Sequence, residues 1–344
     1  MINRKQFLAY LGASVAVRPE RTVLVPYPGK PWAQATRIVG NRSQPDLEAF
    51  ERQRAQDKPQ LPLYNDFCIV QDRRGRWHCI GILFEGVSSA NFRQDRLFHC
   101  VARSIDGPYQ QVERVDLGFG PKAGVWAPFV FRSSERAAMF YATVENGASS
   151  IRKAAASDAT LQSWQRLPEN EEIVVVEPHA RDPHVIFNQE LAQYLLYYVA
   201  TVSAVNVVRL RTSTDLLTWS EPRTVLGTPP GYGAAESVFV LERGGYFYMW
   251  VSGYDYSRMS LYISRTPFDF GDAQTSRIEE QPGHAAEIAW SEGRYWMACA
   301  AIASIPGLPP IPHVPAAWHD LVGVYIQPLQ WRTAGEADLE KITQ

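Results

Sequence analysis

The sequence lacks a basic stripe: 34 Lys and Arg stand against 36 Asp and Glu, a formal charge of −2. That balance argues against a nucleic-acid partner, because neutralising phosphates takes clustered Lys and Arg. Cysteine is scarce as well. Cys68, Cys79, Cys100 and Cys299 form no CxxC pair and no metal-ligand spacing, which sets aside zinc and thioredoxin-type redox chemistry. They read as small buried apolar residues, with Cys79 and Cys100 placed so that adjacent strands would bring them together and an oxidising compartment would let them pair. Nothing between residues 66 and 331 keeps a helical period over any length, so helix-based folds are disfavoured. No membrane span is expected, since the one N-terminal apolar run is too short to cross a bilayer.

That run has another shape. In MINRKQFLAYLGASVAV, Arg4 and Lys5 precede about eleven mostly apolar residues and then the small residues from Ala13 to Ala16, the layout of a secretory leader over 1–17. The Arg–Lys pair is similar to a twin-arginine signal. Tyr10 interrupts the apolar run, and a terminal helix packed on the domain is the competing reading. A periplasmic or secreted location is favoured over the cytoplasm.

The chain is rich in what remains. A hydrophobic fraction of 46% with 12% aromatic residues supplies ample core. The 10 Trp and 16 Tyr include faces suited to sugar rings, although cross-strand packing takes most aromatics in an all-β protein. Residues 18–62 are rich in Pro, Arg and Gln, with a helix-compatible patch at 45–57, and read as a surface arm that Trp32 and Tyr64 anchor on the domain.

From Asp66 onward the sequence repeats. DFCIVQDRRGRWHCIGILFEG, WAPFVFRSSERAAMFYATVENG, DPHVIFNQELAQYLLYYVATV, ESVFVLERGGYFYMWVSGYD and HAAEIAWSEGRYWMACAA each hold an alternating strand, a tight turn and a strand apolar on both faces. A third strand follows. It ends in turns such as Ser213-Thr214-Asp215 with Trp219, or Ser157-Asp158 with Trp164. Short strands recurring as sets of four fit blades and not a sandwich, so the expected fold is all-β, a five-bladed β-propeller of four-stranded antiparallel blades over 63–334, with 335–344 as a tail. The Pro-rich stretch 305–315 interrupts the fifth unit as a stiff loop carrying His313, Trp318 and His319, either a lid or a device for ring closure.

The openings of these units carry Asn65-Asp66, Trp126-Ala127-Pro128, Arg181-Asp182-Pro183, Glu236 and Pro282-Gly283-His284. In this order they resemble the five-bladed β-propeller glycoside hydrolases, family 43 and its relatives in families 32, 62, 68 and 117, over about residues 66–300. Asn65-Asp66 and Arg181-Asp182-Pro183 are also similar to signatures of the fructan-cleaving families. Phe67 stands where a proline usually follows the first aspartate, and Ser237 where Pro or Cys is frequent. The resemblance implies a glycosidase acting on a carbohydrate such as an arabinofuranoside, fructofuranoside or xyloside. It also implies that His284 helps hold a central cation, calcium or another, or a water beneath the site, with no cofactor required for the reaction. A core histidine is the equal alternative for His284.

The residue types stand on their own chemistry. Glycoside cleavage needs one ionised carboxylate and one protonated carboxyl. Asp66 is assigned as base or nucleophile and Glu236 as general acid, with Asp182 between them, raising the pKa of Glu236 by repulsion and stabilising the transition state. Asn65, Trp126, Arg181, His184 and His284 are the candidate substrate-binding residues: Trp126 as a stacking platform or an inter-blade filler, and His184 because strict alternation puts it on the face of Asp182. His78 reads as structural. A propeller phosphorylase, needing Arg132, Arg152 or Arg209 near the base, and a non-catalytic sugar-binding propeller are the two rival functions. Oligomeric state is left open.

Overall fold

In the computed structural model the five repeats become five antiparallel sheets. It describes residues 22–30, 35–39, 63–84, 94–133, 137–145, 148–228, 235–253, 258–300 and 323–343. Blade 1 runs Leu63–Gln71, Trp77–Phe84, Arg96–Ala102 and Gln110–Gln111. Blade 2 runs Gly124–Arg132, Ala137–Glu145, Ala148–Ala156 and Trp164–Arg166, with Ile173–Val176 also on its third strand. Blade 3 is Arg181–Asn188, Gln193–Val202, Val205–Ser213 and Arg223–Leu226. Blade 4 is Glu236–Arg243, Tyr246–Ser252, Arg258–Ser264 and Glu279–Pro282.

Blade 5 corrects the expected domain boundary. Its strands His284–Ser291, Arg294–Ala300 and Val324–Thr333 are completed by Leu24–Pro28, in register from Leu24 opposite Thr333 to Pro28 opposite Leu329. Part of the supposed surface arm therefore closes the ring, and Thr36–Val39 adds to the same strand. Two prolines in Leu24–Pro28 hide it from a strand reading, yet an edge strand tolerates them because it needs donors on one side only. The stretches 1–17 and 45–57, Trp32, and the 305–315 loop with His313, Trp318 and His319 lie outside the described residues. Among the described residues no helix is long and apolar enough to cross a membrane.

Each first strand packs against the first strands of both neighbouring blades, and the fifth returns to the first. The apolar core divides accordingly into five clusters, one per blade interface. Tyr248, Trp250, Met259 and Met297 fill the gap between blades 4 and 5, and Phe140, Val185, Leu196 and Tyr198 that between blades 2 and 3. Second strands sit between two interfaces, which is why YLLYYVA is apolar throughout: Leu195 to Ala200 are all buried. The four cysteines are buried and free, small core residues as expected; Cys79 and Cys100 face each other across neighbouring strands without a disulfide. His78 is structural as expected, held in a buried chain in which its Nδ1 meets His99 Nε2 at 2.8 Å and its Nε2 meets Asp72 Oδ2 at 3.3 Å.

First strands begin at the motif residues and end in hairpins such as 72–76 and 189–192. One face of the ring thus gathers the strand starts, and the opposite face gathers the hairpins and the turns after the third strands.

Candidate active site

Every first strand is broken at its start by a bulge: between Asn65 and Phe67, Trp126 and Phe129, Arg181 and His184, Glu236 and Phe239, and His284 and Glu287. In four of them the first bulged residue is left-handed, with φ of 43° at Ala127, 54° at Asp182, 48° at Ser237 and 52° at Ala285. None is glycine, so each position carries strain on the order of 1–3 kcal/mol that the surrounding sheet must hold. The bulges re-aim side chains. Asp66, Ala127, Asp182, Ser237 and Ala285 consequently line one axial void of about 30 Å³, space for a water or two beneath the mouth of the ring.

Two of the three motif carboxylates meet through one serine. Ser237 Oγ donates to Asp66 Oδ1 at 2.7 Å, and Ser237 N donates to Asp182 Oδ2 at 2.8 Å. Asp66 Oδ1 also lies 3.0 Å from His284 Nε2, and Asn65 Nδ2 donates to Asp66 Oδ2 at 3.3 Å. Glu236, directly before the serine, is clasped by Arg181 in a bidentate fork: Nε to Oε2 at 2.8 Å and Nη2 to Oε1 at 2.7 Å. The same guanidinium donates to His179 O and Ala235 O and comes within 3.6 Å of Asp182 Oδ2.

This arrangement drives two carboxyls in opposite directions. Burial pushes Asp66 up, but the hydrogen bond and charge of His284, the Ser237 hydroxyl and the Arg181 charge outweigh it and leave the group below its ordinary pKa. Asp182 is pushed well above the carboxylate range, first by burial, then by the negative charge of Glu236.

Other expectations need correction. His184 does not face the site, because the left-handed Asp182 and the bulge after Arg181 break the alternation. Its ring lies between Phe129 and Phe239, at 4.3 and 4.2 Å between centroids, and its Nε2 bonds Val240 O at 2.9 Å. Asn65 is buried and turned to Asp66, an orienting role in place of a substrate contact. Trp126 is half-buried, and its indole N–H donates to Gln94 Oε1 at 2.5 Å. Tyr64 lies in the first strand of blade 1 and packs edge-on against Phe98 of the third. As for a cation at His284, its Nε2 is engaged by Asp66 and Ser237, and no group of three His, Cys, Asp or Glu side chains among the described residues is arranged around an ion.

The three arginines that a phosphorylase would need are placed elsewhere. Arg152 pairs with Glu145 and Glu172, Arg209 pairs with Glu177, and Arg132 stands at the hairpin end of its strand.

Two site residues escaped the sequence reading. Ser237 was visible only as a departure from the usual Pro or Cys, yet it is the hub of the network. Glu287 shares the axial void with Asp66 and Asp182, and burial raises its carboxyl well above the ordinary value. Its one signal was an acid inside the apolar run HAAEIAW.

No family model and no curated protein matches the sequence. Solved structures do. A family 43 β-xylosidase/α-arabinofuranosidase from a compost microbial metagenome, in complex with xylotriose, superposes with a TM-score of 0.56 at 12% identity, over 79% of this chain and 94% of the other. An α-L-arabinofuranosidase from Lactobacillus brevis gives 0.55 at 14% identity, over 79% and 92%. A family 32 β-fructofuranosidase from Bombyx mori gives 0.52 at 14% identity, over 86% and 69%. The chain shares the five-bladed propeller fold of these solved structures. Within that propeller the acidic cluster occupies the strand-start mouth, where the axial void opens among the first strands.

Proposed function

We propose that the protein is a glycoside hydrolase cleaving a furanoside, such as an arabinofuranoside or fructofuranoside, or a xyloside. The observation that carries the reading is the shared hub: Ser237 ties Asp66 to Asp182, and its neighbour Glu236 stands in the fork of Arg181. Asp66, kept ionised by its donors, acts on a water or on the anomeric carbon. Glu236 delivers the proton to the leaving oxygen. Asp182 binds sugar hydroxyls and stabilises the positively polarised ring.

The fork adds a step to this scheme. The two arms of Arg181 occupy the lone pairs of Glu236 that face them, so one arm has to let go for Glu236 to take up a proton from solvent, which it then passes to the glycosidic oxygen. A second reading places the transferable proton on Asp182, and its upward-shifted pKa favours that reading.

Leaving-group dependence separates the two. A variant lacking the acid is expected to be slow on a p-nitrophenyl or alkyl glycoside and nearly normal on a dinitrophenyl glycoside, whose leaving group needs no proton. Glu236→Gln should show this recovery and Asp182→Asn should not; the reverse pattern would transfer the acid role to Asp182. Phosphate-dependent product would favour a phosphorylase. Tight oligosaccharide binding with no cleavage across a glycan panel would favour a sugar-binding propeller.

The hub residue gives a pH test. Ser237→Ala removes a donor that favours the charged form of Asp66, so the acidic limb of the kcat/KM profile should move to higher pH. An unmoved limb would mean that this hydrogen bond does not set the ionisation of the base.

A further inference from the structure

A larger concavity lies away from the strand-start mouth. It is a cleft of about 760 Å³ beside blades 2 and 3, lined by residues of the hairpin after the first strand of blade 2 and of the turns after the third strands of both blades. By the direction of the strands, it lies on the face opposite Asp66. Its size is within the range of small-molecule sites. Ala138 and Ala155, opposite each other on neighbouring strands, give an apolar surface on the same face of the sheet as Lys153, and the ring of Tyr194 lines the same cleft.

Lys153 projects into this cleft from the third strand of blade 2, and it is only 5% exposed. An ammonium group has three donors. One goes to Leu216 O at 2.8 Å, and among the described residues no carboxylate comes within ion-pair distance. A buried cation without an anion costs several kcal/mol, so such groups are kept where something pairs with them. Burial also holds this amine below the ordinary lysine pKa, despite the more distant charges of Glu171 and Asp215. Of the three acids that line the cleft, Asp158 and Asp215 are committed locally, Asp158 Oδ1 accepting from Thr160 N and Asp215 Oδ1 from Leu217 N and Thr218 N, while the exposed Glu171 acts on Lys153 only as a more distant charge. Arg73 and Arg132 add positive charge to the lining.

We propose that this cleft is a second binding site, for a sugar acid whose carboxylate pairs with Lys153 while its ring packs on Ala138 and Ala155. An anion follows from the lysine; the choice of a sugar carboxylate rests on the glycosidase reading of the opposite face. Occupancy there would hold a uronate-bearing glycan to the protein at a distance from the cleavage site.

The test uses D-glucuronate, with D-glucose and acetate as controls, titrated calorimetrically into the full chain and into Lys153→Met, Leu217→Glu and Asp66→Asn. Glucuronate should bind the wild type and Asp66→Asn equally, bind Lys153→Met at least 10-fold more weakly, and surpass both controls. Leu217 is 58% exposed at the rim, so Leu217→Glu leaves the fold intact and should weaken glucuronate binding by charge alone, which keeps the test valid if Lys153→Met fails to fold. Equal affinity in Lys153→Met or Leu217→Glu, or acetate binding as well as glucuronate, would each overturn the proposal. Binding lost in Asp66→Asn would move the sugar acid to the strand-start mouth and overturn it too. Since the readout is binding on the far face, it is independent of whether hydrolysis is found.

Discussion

Asp66→Asn is expected to lower kcat on an aryl furanoside by roughly 10³-fold or more, whatever the leaving group, while the melting temperature stays close to that of the wild type. The amide keeps an oxygen that accepts from Ser237 and His284 in place of Oδ1, so besides the charge only the 3.3 Å bond from Asn65 Nδ2 to Oδ2 is lost. An acid variant behaves differently, because a good leaving group restores it. The contrast between Asp66→Asn and Glu236→Gln on a dinitrophenyl glycoside is therefore the most informative single comparison. Full turnover by Asp66→Asn would remove the base assignment and with it the glycosidase reading of this cluster. Following the anomeric configuration of the product by NMR then fixes stereochemistry: retention would make Asp66 a nucleophile, inversion a base acting on water.

Much of this site was legible because propeller repeats carry their chemistry at equivalent points. Asp66, Asp182 and Glu236 open their units in the sequence, and in the fold one serine and one arginine bring them into a single network. What was illegible is the backbone between them. A left-handed bulge at Ala127, Asp182, Ser237 or Ala285 leaves no glycine to mark it, and each shifts the parity of the strand that follows. Hence alternation assigned His184 to the wrong side. The same bulges put Glu236 level with Arg181 and Ser237 level with Asp182, one position from where an alignment of acids would set them, and that offset creates the Arg181 fork. Ring closure by Leu24–Pro28 was hidden for another reason: its partner strand lies about 300 residues away, and no local pattern encodes a pairing at that distance.

The displaced His184 carries the second large effect, on stability. Burial between two phenyl rings lowers its pKa from 6.5 to about 3, and its Nε2 keeps the proton that it donates to Val240 O. Above pH 6.5 the imidazole is neutral in both folded and unfolded chains, and its titration contributes nothing to the pH dependence. Below 6.5 the unfolded chain takes up a proton that the fold refuses until about pH 3, so stability falls by about 1.4 kcal/mol for each pH unit across that window, roughly 2 kcal/mol at pH 5. His99, lowered to about 3 by burial and by the neighbouring His78, acts in the same window with the same sign. Asp182 and Glu287 act in the opposite direction: their raised carboxyls take up protons in the fold first, so their contribution to stability grows as pH falls through their folded pKa values towards 4. Comparison of variants isolates the histidine from these carboxyls. His184→Gln retains a donor for Val240 O but cannot titrate; its deficit relative to the wild type in urea unfolding should therefore shrink by about 1.4 kcal/mol per pH unit from pH 6 to pH 4. Parallel stability curves for the two proteins over that range would show that His184 is protonated in the folded state, which its place between Phe129 and Phe239 does not allow.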